Sequence, residues 1–164
     1  MIIFDIREKN IRQEFISIIK YFQKKAESYP KFLFASKVDH AGTLRSVFWA
    51  DGRAISSYLS FSDVVVFNTP CKTNYLNLLF TPFTDMNHHQ QSILFGCVLL
   101  ADEQRDTIVW LFSKWLKCMH GVTLKVITDQ DAQIGDAIKI VFPNYRHHYC
   151  FWHIRKTFSS NKFP

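Results

Sequence analysis

Apolar positions along the chain first recur at steps of three and four. Ile11, Phe15, Ile18, Ile19, Phe22 and Ala26 share one helical face, Asp5 and Glu8 stand where they can cap its start, and Tyr29-Pro30 ends it. The pattern predicts an amphipathic N-terminal helix. The period then shortens to that of strands. Lys31 to Val38 and Leu44 to Ala50 are rich in aromatic and β-branched residues, and they flank Asp39-His40-Ala41-Gly42, which predicts a hairpin around a glycine turn. Arg53 to Leu59 predicts a short helix.

Beyond Asp63 three apolar runs follow in succession: Val64 to Thr69, Leu78 to Asp85 and Ser92 to Leu100. Short runs bounded by turn residues predict a meander of strands, and the third is apolar enough to be buried on both faces. Ile108, Leu111, Phe112, Trp115, Leu116 and Met119 then form one helical stripe, with Gly121 placed to end it in the left-handed conformation. Leu124 to Thr128 predicts another strand, and Ile134, Ala137, Ile138 and Val141 mark another helix. Pro143-Asn144 turns the chain into a strand over Tyr145 to Cys150, and a helix starts at Phe151. The order β-β-β-α-β-α-β predicts an α/β protein with a ribonuclease H-like mixed sheet flanked by helices. Residues 1–60 form the helix-and-hairpin lead-in, and 61–164 carry the sheet.

Composition fits this picture without deciding function. Hydrophobic residues make up 48% and charged residues 21% of the 164, the balance of one ordinary globular domain. Sixteen Phe, six Tyr and four Trp favour strands and large core contacts. A net charge of +6 is compatible with a polyanionic partner, since Lys and Arg gain affinity by releasing counterions from phosphates, but a solvated basic surface accounts for it equally well. Cys71, Cys97, Cys118 and Cys150 form no CxxC pair and no secretory signal precedes them, which points to reduced thiols in an intracellular compartment. The longest apolar run, Ile93 to Ala101, is far short of the roughly 20 residues that cross a bilayer, so no membrane partner is expected.

The candidate chemistry lies in Ile127 to His153. Two-metal cleavage of a phosphodiester needs several carboxylates around cations roughly 4 Å apart. In a ribonuclease H-like sheet the first and fourth strands lie side by side, so acids are wanted at the ends of Val64 to Thr69 and Leu124 to Thr128. Asp129 fills the second position. Asn68 fills the first with a neutral amide, and hard cations depend on carboxylates to offset dehydration. From Ala137 to Pro164 the chain has no Asp or Glu to supply a third. Asp131 is spaced to cap the following helix, and Asp136 falls on that helix's solvent face, which leaves Asp129 as the one serious acid. Asp63 or Asp85 could stand in for the missing ligand only from elsewhere, and Asp63 sits at the wrong end of its strand.

His147, His148, Cys150 and His153 invite a zinc reading, yet Cys150-Phe-Trp-His153 offers two ligands with no second pair at finger spacing, where closed sites need four. No metal is assigned. His88-His89 reads as a polar turn, and Cys97 and Cys118 as small core residues. Lys139, Arg146, Arg155, Lys156 and Lys162, with Trp152, give the last segment a character suited to phosphate contact and stacking, and equally to a solvated tail.

Longer motifs carry a resemblance. Phe48-Trp49-Ala50-Asp51, Asp63-Val-Val-Val-Phe67-Asn68-Thr69, Asn87-His-His-Gln-Gln-Ser92-Ile-Leu-Phe-Gly96-Cys97, Val109-Trp-Leu-Phe112, Ile127-Thr-Asp-Gln-Asp131, Val141-Phe-Pro-Asn144 and Cys150-Phe-Trp-His153-Ile154 follow in order. Together they closely resemble the plant far-red-impaired-response (FAR-related) proteins, which derive from Mutator-like element (MULE) transposases. The resemblance implies a transposase core redeployed for DNA binding and transcriptional regulation in the plant nucleus, with regulatory proteins or family members as partners. It places the family's first catalytic-type aspartate on Asn68, its second on Asp129, and its Cys-x-x-His motif on Cys150 and His153, with His147 nearby. The expected protein is therefore not an enzyme, has lost its ancestral Mg²⁺ site, and contacts DNA weakly, mostly through the backbone, with Arg146, Arg155 and Lys156 as contact candidates. The zinc modules of full-length relatives and the final glutamate of an active transposase are missing, so the chain resembles a truncated product that needs no cofactor. A residual metal-dependent transposase or nuclease, and a product without independent function, are the alternatives.

Overall fold

The computed structural model describes residues 16–61, 63–69, 78–86, 89, 91–120 and 125–160, the last five of these by backbone alone. The Asp5–Glu8 cap, Ile11, Phe15, Cys71, His88, Gly121, Leu124 and Lys162 lie outside the described residues, as does the side chain of Lys156. Helix α1 spans residues 16–28. Strands β1 (Leu33–Val38) and β2 (Leu44–Ala50) form the predicted hairpin, followed by α2 (Gly52–Phe61). Asp39 builds the turn. Its Oδ1 accepts from the backbone N–H of Ala41 at 3.0 Å and of Thr43 at 2.8 Å, while Gly42 takes a φ of 75° that L residues avoid.

Strands β3 (Val65–Phe67), β4 (Leu79–Met86) and β5 (Ser92–Leu100) come next, then α3 (Arg105–Cys118), β6 (Lys125–Thr128), α4 (Ala132–Val141), β7 (Arg146–Tyr149) and α5 (Phe151–Ser160). All seven strands join one mixed sheet in the order β1-β2-β5-β4-β3-β6-β7. The neighbours from β1 to β3 are antiparallel, and β3, β6 and β7 run parallel. The lead-in hairpin thus extends the same sheet through β2 and β5. A bulge shifts the β4–β5 register between Phe83 and Thr84. Close by, Gly96 has a φ of 153°, and a Cβ there would meet the Phe48 ring at 3.0 Å and the Trp49 carbonyl at 3.1 Å.

Alternation along the strands splits the interior in two. Phe48, Leu79, Phe83 and Val98 point to one face and pack with Tyr58 of α2, Phe112 and Trp115 of α3, and Ile134, Ala137 and Ile138 of α4. Phe34, Val47, Trp49 and Leu99 point to the other, where Phe22, Ile18, Ile19 and Ala26 of α1 meet them. From Phe95 onward β5 is covered on both faces, as its apolar run predicts, whereas Leu94 near its start stays 49% exposed. Cys97 and Cys118 are core residues, and burial pushes each thiol up to about 11.

The end of α3 is described as far as His120, and the expectation for Gly121 lies outside the described residues. Among the described residues there, His120 is left-handed, with a φ of 60°. Met119 N–H completes the last α-helical turn by donating to Trp115 O at 2.9 Å, so the reversal falls on the next residue, and histidine tolerates it better than most side chains. No helix among the described residues is long and apolar enough to cross a membrane.

Candidate functional site at the ends of the parallel strands

The parallel register brings three strand ends abreast. Phe67 of β3 pairs with Thr128 of β6, and Thr128 pairs with Tyr149 of β7. Asn68, Asp129 and Cys150 are therefore the next residues past one row of paired positions. The Thr69 hydroxyl donates to Asp129 Oδ2 at 3.0 Å, and Cys150 N–H donates to Thr128 O at 2.6 Å. Asn68 Oδ1 and Asp129 Oδ1 are both buried with no hydrogen-bond partner among the described residues. Two acceptors thus sit on this rim without a donor, an arrangement that a proton donor or a cation would relieve.

His147 belongs to the same rim. The Thr128 hydroxyl lies 2.8 Å from the Asp129 carbonyl, which can accept its proton, and 2.9 Å from His147 Nε2, a contact whose direction follows the tautomer of the ring. Burial lowers the His147 pKa below its ordinary value, and the charges of His148 and Lys139 push the same way, which keeps the ring neutral.

Asp131 caps α4 as its spacing predicts, accepting from Gln133 N at 2.8 Å and Ile134 N at 3.0 Å. Asp136 is on the solvent face, paired with Lys139 at 2.9 Å, and that ammonium lowers its pKa. Cys150 opens α5, its carbonyl accepting from Ile154 N at 3.1 Å, and His153 lies in the first turn with the Trp152 ring 4.8 Å away. Among the described residues no three His, Cys, Asp or Glu side chains are grouped to hold a metal ion. Arg146 is separated from this motif. It starts β7 beside Lys125, at the end of the strand away from the rim, whereas Arg155 is exposed on α5.

Asp63 and Asp85 lie together at the opposite end of β3. Burial raises the Asp85 pKa, backbone amides of Met86 and Val64 draw it back, and the Asp63 charge raises it further. Neither carboxylate can reach the place beside Asp129. Among the described residues, the acidic and amide side chains of the rim are one carboxylate, with an oxygen already taken by Thr69, and one neutral amide. They do not fit a pair of divalent cations, which need several carboxylates to offset dehydration. Thr69 and Thr128, the hydroxyls that hold Asp129 and His147, escape sequence reasoning. Their only signal is adjacency to Asn68 and Asp129, and it becomes readable once the parallel register is known.

The MULE transposase domain family model matches residues 64–157, more than half of the chain and the whole of this rim. The chain belongs to the MULE transposase domain family. Relatives from Arabidopsis thaliana cover most of it: Protein FAR1-RELATED SEQUENCE 5 is 39% identical over 151 residues, 92% of the chain. Protein FAR-RED IMPAIRED RESPONSE 1 is 41% identical, and Protein FAR1-RELATED SEQUENCE 4 is 42% identical, each over 138 residues and 84% of the chain. The MULE-family chain spans only 19%, 17% and 19% of the lengths of these three relatives.

Proposed function

We propose that the chain is a transposase-derived, catalytically inactive core of a FAR-related protein, acting in the plant nucleus in the regulation of transcription. Its partners are other regulatory proteins or family members, together with DNA held weakly and mostly by the backbone. Residues 61–164 form a ribonuclease H-like core and residues 1–60 its lead-in. The sheet order supports that core, because the first and fourth of its strands, β3 and β6, lie side by side and parallel. Its relatives support the regulatory role.

The observation that carries the reading is Asn68. The resemblance assigns it the place of the family's first acid, and it stands one residue past the Phe67–Thr128 pair, as Asp129 does on β6. An amide there leaves a lone carboxylate to face any cation, and ligand charge sets the affinity of such sites. His147, Thr69 and Thr128 then do structural work: they fix the backbone and carboxylate at the end of β6.

The test is nicking of supercoiled DNA by the purified chain with Mg²⁺ or Mn²⁺, alongside calorimetric titration of Mn²⁺. The expected results are no nicking and only weak binding of the ion. Asn68→Asp should raise Mn²⁺ affinity by roughly tenfold or more, by adding a second carboxylate. Metal-dependent nicking by the unaltered chain that Asp129→Ala abolishes would overturn the reading.

A further inference from the structure

A two-lobed groove that shares no lining residue with the rim lies between the end of α1, the end of β2, the first turns of α2 and the first half of β5. One lobe has a volume of about 520 Å³ and the other about 780 Å³. They share Lys25, Phe32, Asp51, Arg53 and Ser57, so they form one continuous channel rather than two pockets. Most of the groove belongs to residues before 64, where the family match starts.

We propose that this groove binds a single-stranded polynucleotide, with its phosphates on Lys25, Lys31 and Arg53 and its bases against Tyr21 and Tyr29. The charge is one-sided. Three cations line the channel against one carboxylate, Asp51, and that carboxylate already accepts from Ala54 N at 2.8 Å and from Arg53 Nη2 at 3.3 Å. The Arg53 side chain is 95% exposed in spite of this contact and can turn to a ligand. Aromatic surface flanks the cations: Tyr21 is 57% and Tyr29 61% exposed. Lys25 Nζ stands 5.1 Å from the Tyr29 ring centre and 6.0 Å from that of Tyr21, which holds its ammonium between the two rings.

Alternating cations and exposed ring faces along a channel are what a strand with unpaired bases can use, because stacking needs bases out of the duplex. A duplex offers only its phosphates to such a groove, and an acidic peptide leaves the ring faces unused. The +6 net charge of the chain adds long-range attraction for the same class of ligand. This inference deepens the nucleic-acid part of the function proposed above and rests on it, but it assigns the contact to different residues from Arg146 and Arg155.

Fluorescence anisotropy of the full chain with labelled oligothymidine, a DNA duplex and poly-glutamate tests it, with each variant's fold checked by circular dichroism. The expected result is preference for the single strand. Tyr29→Ala should weaken binding between about 5-fold and 150-fold, the range for one stacked base. Lys25→Ala and Arg53→Ala should each flatten the salt dependence by about 0.7 in the log–log slope. The exposed pair Arg146→Ala with Arg155→Ala should leave single-strand binding unchanged. Binding lost in that pair but kept in the groove variants overturns the groove while sparing the earlier DNA reading. Preference for poly-glutamate or for duplex overturns the assignment to a single strand. Absence of any nucleic-acid binding overturns both.

Discussion

One residue separates Phe67 from Asn68, and the two belong to different regimes. Phe67 is fully buried, its ring 4.9 Å from Phe83 and 5.1 Å from Phe112, and Phe83 in turn lies stacked on Trp115 at 5.0 Å. Asn68 stands on the rim, where its side-chain oxygen and that of Asp129 are buried without donors among the described residues. The core is held by packing that any change of shape disturbs. The rim is held by a few directional bonds from Thr69, Thr128 and His147. An acid can therefore become an amide at Asn68 with no consequence for the sheet that presents it.

The sharpest break of the comparison comes from the core. Trp115 is 1% exposed and meets Tyr58, Phe83 and Phe142, so Trp115→Ala removes a large ring from three neighbours that cannot all collapse into its place. The expected loss is roughly 3–5 kcal/mol, read from urea denaturation. A loss below about 1 kcal/mol would mean that this aromatic cluster is not what fixes the position of β3.

A smaller effect should come from the rim. Asp131→Ala removes the acceptor for Gln133 N and Ile134 N at the start of α4, and the expected loss is about 1 kcal/mol. The cap is local, so the melt should remain a single cooperative step. Asp131→Asn should recover most of the loss, since an amide oxygen also caps.

How much of this was legible follows from how local each feature is. The bounds of β2 and β5 match the runs Leu44 to Ala50 and Ser92 to Leu100, because aromatic and β-branched content with polar borders marks strands directly. The Asp131 cap was legible for the same reason, its donors being two and three residues away. The left-handed backbone of His120 was not legible, because nothing in the sequence around a histidine marks a positive φ. The closeness of Asn68 to Asp129 depends on pairing across 61 residues of chain, and only the expected fold made it readable. The Thr69 bond to Asp129 and the His147 contact with Thr128 need the actual register. The α1–α2 groove has no sequence signature at all, since helix end, strand end and helix start each look ordinary alone.

The smallest effect tests whether the rim is tuned by burial as the core is by packing. His147 has its pKa lowered from an ordinary value of 6.5, first by burial and then by the charges of His148 and Lys139. With the folded value below the unfolded one, the unfolded chain binds the proton first as pH falls, so the contribution of His147 is complete above 6.5. It declines below that point and is gone once pH has passed the lower folded value. His147→Gln keeps a side chain that can donate to or accept from the Thr128 hydroxyl and removes the titration. Urea midpoints at pH 7.5 and pH 5.5 should therefore fall less in His147→Gln than in the unaltered chain, with little difference between the two proteins at the higher pH. An equal fall in both would mean that the ring is as free to protonate in the folded protein as in water, and that the rim, unlike the core, is not closed to solvent.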